Sequence, residues 1–314
     1  YKNIYQLNSH ITLETKSLAW QGAPGPLAIM SKKIPGVISV LRLVSENENP
    51  TLSDKVLSNI DQRKVFDNNN IIYAESNFLN FFSYKLLHGN RNSFLPNSYS
   101  VALTQSTAKK LFGTEDAIGK IVRFDKNSFT VTAVLQDFPR NSSLQYDAIF
   151  PVDYYAQQFT AHGGNHGWKT IDEDVNDYSF RTFLLLNSDA NRSTIETKLT
   201  HLFNAMKNGQ AQTTFQLQNL GDLHLTGIDG DNSALQMVRI MTLVAILILT
   251  IASINYVNLS TARALTRIKE ISIKKIIGAK RRQLFLQFIT ETVLTFMFAV
   301  ISAIALIVLL KPLY

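Results

Sequence analysis

Two apolar stretches dominate the hydrophobic pattern of the chain. Residues 240–259 read IMTLVAILILTIASINYVNL, and residues 284–310 read LFLQFITETVLTFMFAVISAIALIVLL. A helix rises about 1.5 Å per residue, so roughly 20 residues reach about 30 Å, the depth of a bilayer's hydrocarbon core. Both stretches are apolar on every face, which predicts two membrane-spanning helices. The second has length to spare for tilt.

Residues 1–237 follow another pattern: short β-branched or alternating runs, separated by polar turns. Residues 37–44 (VISVLRLV), 71–74, 101–103, 146–151, 180–187 and 213–220 read as strands, and residues 1–20 as strand-rich. Residues 120–124 and 128–136 alternate apolar and polar around Asp125-Lys126-Asn127, predicting a β-hairpin. Helices are predicted over 27–33 behind Gly25-Pro26, over 77–87, over 105–112 between a Thr104 N-cap and Gly113, over 152–159 and over 192–207. Phe78, Phe81, Phe82 and Tyr84 could line a ligand groove, but a helix packing its aromatic face on a sheet explains them better. The predicted fold class is an α+β domain over 1–237, followed by a membrane region over 238–314. Its two transmembrane α-helices fall at about 240–259 and 284–310, with a loop over 260–283.

Charge fixes the orientation of that plan. The loop carries Arg263, Arg267, Lys269, Lys274, Lys275, Lys280, Arg281 and Arg282 against the single acid Glu270, a net charge equal to the +7 of the whole chain, so everything outside the loop sums to zero. A short loop this basic stays on the cytoplasmic side, which makes residues 1–237 extracytoplasmic. A basic patch bracketed by two membrane helices is poorly placed to track a duplex, so nucleic acid is set aside as a partner and the lipid bilayer takes its place. The chain has no cysteine, which excludes a disulfide framework and thiolate metal sites. No basic, apolar signal opens it at Tyr1, so export of the large outer domain is expected to depend on a segment upstream.

Candidate chemistry is sparse in the outer domain. Gly113 to Lys120 resembles a phosphate-binding loop, but it has five residues between its glycines rather than four, Ile121 after the lysine, and a helix rather than a strand before it. His162 and His166 have metal-ligand spacing, yet the glycines between them oppose a helix and no third ligand is identifiable. No nucleophile–base pairing emerges, so no catalytic, cofactor-binding or metal residue is assigned.

The membrane region is more specific. Asn255 and Asn258 fall near the cytoplasmic end of the first span, where they can bond neighbouring helices or sit at the interface. Val257, Thr261, Ala264, Leu265 and Ile268 keep one helical face, predicting that this helix continues past the membrane. The isoleucines at 268, 271, 273, 276 and 277 then spread around the helical wheel. A break at 270–272 would resolve this, leaving Ile273, Ile276 and Ile277 as one face of a short helix closed by Gly278. Such a helix, carrying Lys274 and Lys275, could dock in a protein groove or rest on anionic lipid. Glu291, about two turns into the second run, is either a functional intramembrane carboxylate or an ionic partner of the basic loop.

Residues 267–281 (RIKEISIKKIIGAKR), followed by Gln287-Phe288 and Glu291, resemble the cytoplasmic loop of FtsX/MacB-type ABC transporter permeases, which reads close to R-x-x-E-I-G-I-R-K-A-L-G-A-x-R. Ser272 replaces the family's glycine and Lys274 its arginine. The outer domain resembles the family's periplasmic core domain in Asn80-Phe81-Phe82, Leu87-His88-Gly89, residues 101–103, 108–113 and 118–120, 129–139 (FTVTAVLQDFP) and Asp222-Leu223-His224-Leu225. The likeness covers nearly the whole chain.

This resemblance implies a permease subunit of a bacterial inner-membrane ABC transporter, dimeric, with further membrane helices before and after this segment. ATP would be bound by a partner ATPase rather than by this chain, which carries no nucleotide-binding motif and so is not expected to be an enzyme. The short helix would be the coupling helix, with Glu270, Ile271, Ile273, Lys274, Lys275, Gly278 and Ala279 at the ATPase contact. ATP hydrolysis would move the periplasmic domain, either for export, with a periplasmic adaptor as a further partner, or for mechanical relay. A membrane-anchored sensor or adaptor that binds a ligand is the rival class, and a membrane-tethered hydrolase a third.

Overall fold

The computed structural model describes residues 3–12, 17–45, 56–59, 64–66, 70–124, 126–139, 142, 144–165, 167–207, 212–223, 226–228, 232–266, 268–278 and 280–310. They form two compact units, residues 1–236 and 237–314.

The first unit is built on one mixed sheet of thirteen strands. In chain order these are β1 (Ile4–Thr12), β2 (Ser17–Trp20), β3 (Val37–Ser45), β4 (Leu57–Asn59), β5 (Lys64–Phe66), β6 (Ile71–Ala74), β7 (Leu86–Gly89), β8 (Ser100–Thr104), β9 (Ile121–Phe124), β10 (Asn127–Leu135), β11 (Ala148–Pro151), β12 (Phe180–Leu186) and β13 (Thr213–Asn219). The spatial order is β13-β1-β12-β3-β6-β11-β8-β10-β9-β4-β5, with β2 added to β1 and β7 to β10. Most neighbours are antiparallel; β6–β11 and β8–β10 run parallel. Five helices pack on it: α1 (Pro26–Lys32), α2 (Phe78–Phe82), α3 (Gln105–Phe112), α4 (Val152–Ala161) and α5 (Arg192–Met206).

Central strands are buried on both faces because side chains alternate across the sheet and helices cover each side. On β6, Ile71 and Tyr73 enter one core with Phe129, Phe150, Leu111 of α3 and Tyr154 of α4, while Ile72 and Ala74 enter another with Phe78 and Phe82 of α2 and Phe183. A third core joins Leu7, Leu184 and Phe215 to Leu27 of α1 and to Leu199 and Phe203 of α5. The aromatics of 78–84 are thus packing residues: Phe78 stacks on Tyr84 and Phe94, and Phe82 meets Phe183 edge-on.

The helix predicted over 77–87 is shorter than its aromatic spacing suggests. α2 stops at Phe82, Ser83 takes a left-handed backbone with φ 54°, and Leu86–Gly89 becomes β7, paired with β10. Ladder hydrogen bonds to a neighbouring strand outweigh local helical preference here. Elsewhere the local signals hold. Thr104 caps α3 by accepting the Thr107 N–H, Gly113 closes α3 at φ 73°, and β9 and β10 pair as the expected hairpin around position 125, which lies outside the described residues.

Two polar arrangements fix the sheet's geometry. Arg42, on β3, is buried; its Nε donates to Glu75 Oε1 at 2.9 Å and its Nη1 to Asp172 and to the Gly25 carbonyl. Burial disfavours the Arg42 charge, but Glu75 and Asp172 overcome it and hold its pKa above the usual arginine value. The second arrangement covers a sheet edge. The outward N–H groups of Thr213, Phe215 and Leu217 on β13 donate to Asn204, Thr200 and Glu196 of α5 at 3.2, 3.1 and 2.7 Å. Four helical residues advance about 6 Å and two strand residues about 6.7 Å, so an i, i+4, i+8 row of side chains can serve every second amide of a strand.

The second unit consists of α6 (Ser233–Thr266), α7 (Ile268–Ile276) and α8 (Arg281–Leu310). Both α6 and α8 are long and apolar enough to cross a bilayer. Eight of their hydroxyls are satisfied locally. Thr242, Thr250, Ser253 and Thr261 on α6, and Thr290, Thr292, Thr295 and Ser302 on α8, each donate to the carbonyl four residues back at 2.7–2.9 Å. In lipid, where no water is available, such a bond to the helix's own carbonyl keeps a hydroxyl paired.

Candidate functional site

The site is the turn that joins the two spans. α6 continues past its apolar stretch to Thr266, and α7 begins at Ile268. No break falls at 270–272, where the isoleucine pattern predicts one: Ile268–Ile276 is one helix, and residue 267 lies outside the described residues. The prediction assumed that one helix can carry only one apolar face. Instead α7 carries two. Ile271 is half-buried and lines a cavity with α6 and α8, while Ile273, Ile276 and Ile277 point outward, the last two 85% and 80% exposed. Ser272 donates to the Ile268 carbonyl at 2.8 Å and so stays within the helix.

The turn after α7 is built from specific main-chain needs. The Ile277 and Gly278 N–H groups donate back to Ile273 and Lys275, and Gly278 sits at φ 98°, a left-handed conformation that glycine adopts without steric cost. α8 then starts at Arg281, so the basic residues 281 and 282 open the second membrane helix ahead of its apolar run. Gln283, its third residue, accepts the Lys280 N–H on its side chain at 3.0 Å, half of a capping box. The α8 start, like the α7 end, is therefore defined by hydrogen bonds.

The cavity, about 310 Å³, lies between the cytoplasmic halves of α6 and α8. Tyr256, Leu259, Ser260 and Arg263 form one wall at helical spacing; Phe288, Glu291, Thr292 and Thr295 form the other. Glu291 thus shares a cavity with Arg263, and neither is without a partner. The spacing on each helix was visible in the sequence, but that these two faces confront each other was not. Asn255 and Asn258 are exposed on α6 and lie outside this cavity.

Of the residues expected at a partner contact, Ile273 is on the outward face of α7, Gly278 ends the helix, and Ile271 and Lys274 turn inward enough to be half-buried. Lys275 is exposed. The backbone of Glu270 belongs to α7, and Ala279 lies outside the described residues. In the first unit, His162 ends α4 with its ring bonded to the Gln158 carbonyl, while His166 lies outside the described residues.

The MacB-like periplasmic core domain family matches residues 4–202, and the FtsX-like permease C-terminal family matches residues 242–314. The macrolide export ATP-binding/permease protein MacB of Aggregatibacter actinomycetemcomitans is 27% identical over 199 residues, which cover 62% of this chain and 27% of that protein. The protein of the same name from Chromobacterium violaceum is 22% identical over 267 residues, covering 83% of this chain and 38% of its own. This chain therefore spans well under half the length of these relatives. Among solved structures, a domain of a protein described as a permease from Porphyromonas gingivalis superimposes with a TM-score of 0.56 at 19% identity, over 69% of this chain and 89% of that one, which shows a shared fold.

Proposed function

The chain belongs to the FtsX/MacB-type family of ABC transporter permeases, inner-membrane proteins with an extracytoplasmic segment, and on that premise we propose that α7 is the contact through which a partner ATPase drives the outer domain. The observation that carries this reading is the outward apolar face of Ile273, Ile276 and Ile277 on a short helix held between two membrane spans. Three adjacent isoleucines left in water are unfavourable, and a groove on a partner that covers them while pairing with Lys275 offsets that cost. Glu270 and Ala279 flank the same face in sequence and complete the contact. ATP is held by the partner; this chain contributes the lever.

In this reading ATP-driven closure of the ATPase displaces α7, the two spans carry the displacement, and the outer domain moves. The permease acts as a dimer, in step with a dimeric ATPase. The output is export, as the names of the MacB relatives state for them, with a periplasmic adaptor beyond, or a mechanical relay to an outer partner. A membrane-anchored sensor is the alternative, and the exposed α7 face speaks against it, since a passive anchor has no use for a cytoplasmic apolar patch.

Co-purification of the full-length protein from its own cells tests the contact. The expected result is a stoichiometric ATPase that is lost in the Ile276→Glu/Ile277→Glu variant and in the Glu270→Arg/Gly278→Pro variant. An ATPase that remains bound to both variants would sink the assignment of α7, and recovery of no ATPase at all would favour the sensor.

A further inference from the structure

The sheet treats two of its edges in opposite ways, and the difference locates a second interaction surface. β13 has its outward amides capped by three α5 side chains. β2 pairs only with β1 among the described residues, so its other edge takes part in no ladder. Within its four residues, Ser-Leu-Ala-Trp, β2 carries no lysine, proline or bulge, the usual devices that discourage edge pairing. Leu18 and Trp20 are 40% and 48% exposed on it.

Beside this edge lies a cleft of about 530 Å³, between β2 and the segment leading into β12. It closes at Gly22, where a Cβ would lie 1.7 Å from the Tyr178 carbonyl oxygen, and where the Ala23 N–H donates to Phe180 at 2.7 Å. Trp20 and Tyr178 form a tilted aromatic pair within it, with ring centroids 6.2 Å apart. Asp177 also lines it. Burial raises the pKa of that carboxyl; the Ser179 N–H, bonded at 3.0 Å, works against the rise and nearby Asp174 adds to it. Arg181 lines the cleft too but already has a partner, and Lys207 sits over the Tyr178 ring and bonds its hydroxyl.

We propose that this cleft receives an extended peptide segment of a partner protein, which adds as a strand to the free edge of β2, lays an apolar side chain against Trp20 and Tyr178, and sets a basic side chain opposite Asp177. Strand addition supplies affinity through the main chain and specificity through alternate side chains. Charge selects the basic residue, because a half-buried carboxyl with a second acid beside it gains from a cation. A second copy of this chain fits less well: pairing β2 with β2 joins four residues from each side, far short of the roughly 800 Å² per partner of a stable interface, and leaves the cleft unfilled. This surface is independent of the cytoplasmic contact proposed above.

The test uses the full chain in nanodiscs and fluorescein-labelled pentapeptides read by anisotropy. Lys-Val-Phe-Val-Lys should bind, and Glu-Val-Phe-Val-Glu should bind at least about tenfold more weakly. Two versions of the basic peptide, N-methylated on one or the other strand edge, separate strand addition from side-chain docking, and one of them should lose binding. Trp20→Ala should weaken the basic peptide about tenfold or more, the scale of an aromatic anchor. Asp177→Asn should abolish the preference for lysine over glutamate. The proposal is overturned if no peptide in the panel binds, if both methylated peptides bind as well as the parent, if the acidic peptide is preferred, or if Trp20→Ala disperses a dimer of this chain without changing peptide affinity.

Discussion

The two units meet the same physical demand in opposite ways. In residues 1–236, apolar side chains are enclosed in three cores, a buried cation is held by two carboxylates, and an exposed strand edge is capped by a helix. In residues 237–314, no described residue of α6, α7 or α8 is buried. Eight hydroxyls there bond their own helix, and apart from the Ile271 side of α7 the apolar faces are left for something outside the unit to cover. For α6 and α8 that covering is lipid. α7 is different, since its exposed isoleucines lie on a turn with a strong positive charge, and a protein contact there is the reading proposed above.

The largest predicted effect tests whether the cores really differ from the spans. Phe150 is fully buried, with ring centroids 4.7 Å from both Phe124 and Phe129. Phe150→Ala should destabilise the outer domain by about 3–5 kcal/mol, whereas Phe298→Ala, at a position 72% exposed, should leave its denaturant midpoint unchanged. Unfolding followed by tryptophan fluorescence reads both, and equal losses would break the contrast.

Next in size is the buried charge. Arg42→Ala strands Glu75 and Asp172, and since Asp172 is 41% exposed the loss should be about 2–3 kcal/mol, below that of a fully buried pair. Replacing all three together, with Arg42→Met, Glu75→Gln and Asp172→Asn, should recover part of it. A triple variant as unstable as Arg42→Ala would mean that packing, not stranded charge, sets the cost.

The smallest effect sharpens the comparison between edges. Thr200→Val removes the acceptor for the Phe215 N–H and should cost about 1 kcal/mol, with faster hydrogen exchange at that amide. Unchanged exchange at Phe215 would mean that the α5 row does not protect the edge.

Local features of the fold were legible where one residue type does one job. Thr104 and Gly113 bracket α3 as their side chain and backbone preferences dictate, and Pro26 opens α1. What escaped was set by partners distant in sequence. Nothing local marks Ser83 as the end of α2, because β7 is defined by its pairing with β10. β4 and β5 span three residues each, too few for a period to register. The cytoplasmic turn was visible in outline from its charge and isoleucines, but the two-faced α7 required knowing that Ile271 meets a cavity shared with Phe288 and Glu291. The β2 cleft had no signal at all, since Trp20 and Tyr178 are brought together by the pairing of β1 with both β2 and β12 and by the Ala23–Phe180 bridge.

The placement of β1 also sets a timetable. The first strand of the chain pairs with β12 and β13, the last two strands of the domain, and the Ile4 carbonyl accepts the Leu220 N–H. These are its most distant partners, so loop closure makes them the slowest to find. At roughly 5–20 residues per second, the usual pace of synthesis, β1 would wait on the order of 10–40 s on the outer side of the membrane before its partners arrive. During that interval the stretches of β1 that face β12 and β13 have no partner beyond the local β2 hairpin at Ser9–Thr12, so the nascent strand carries open edges that the finished domain covers.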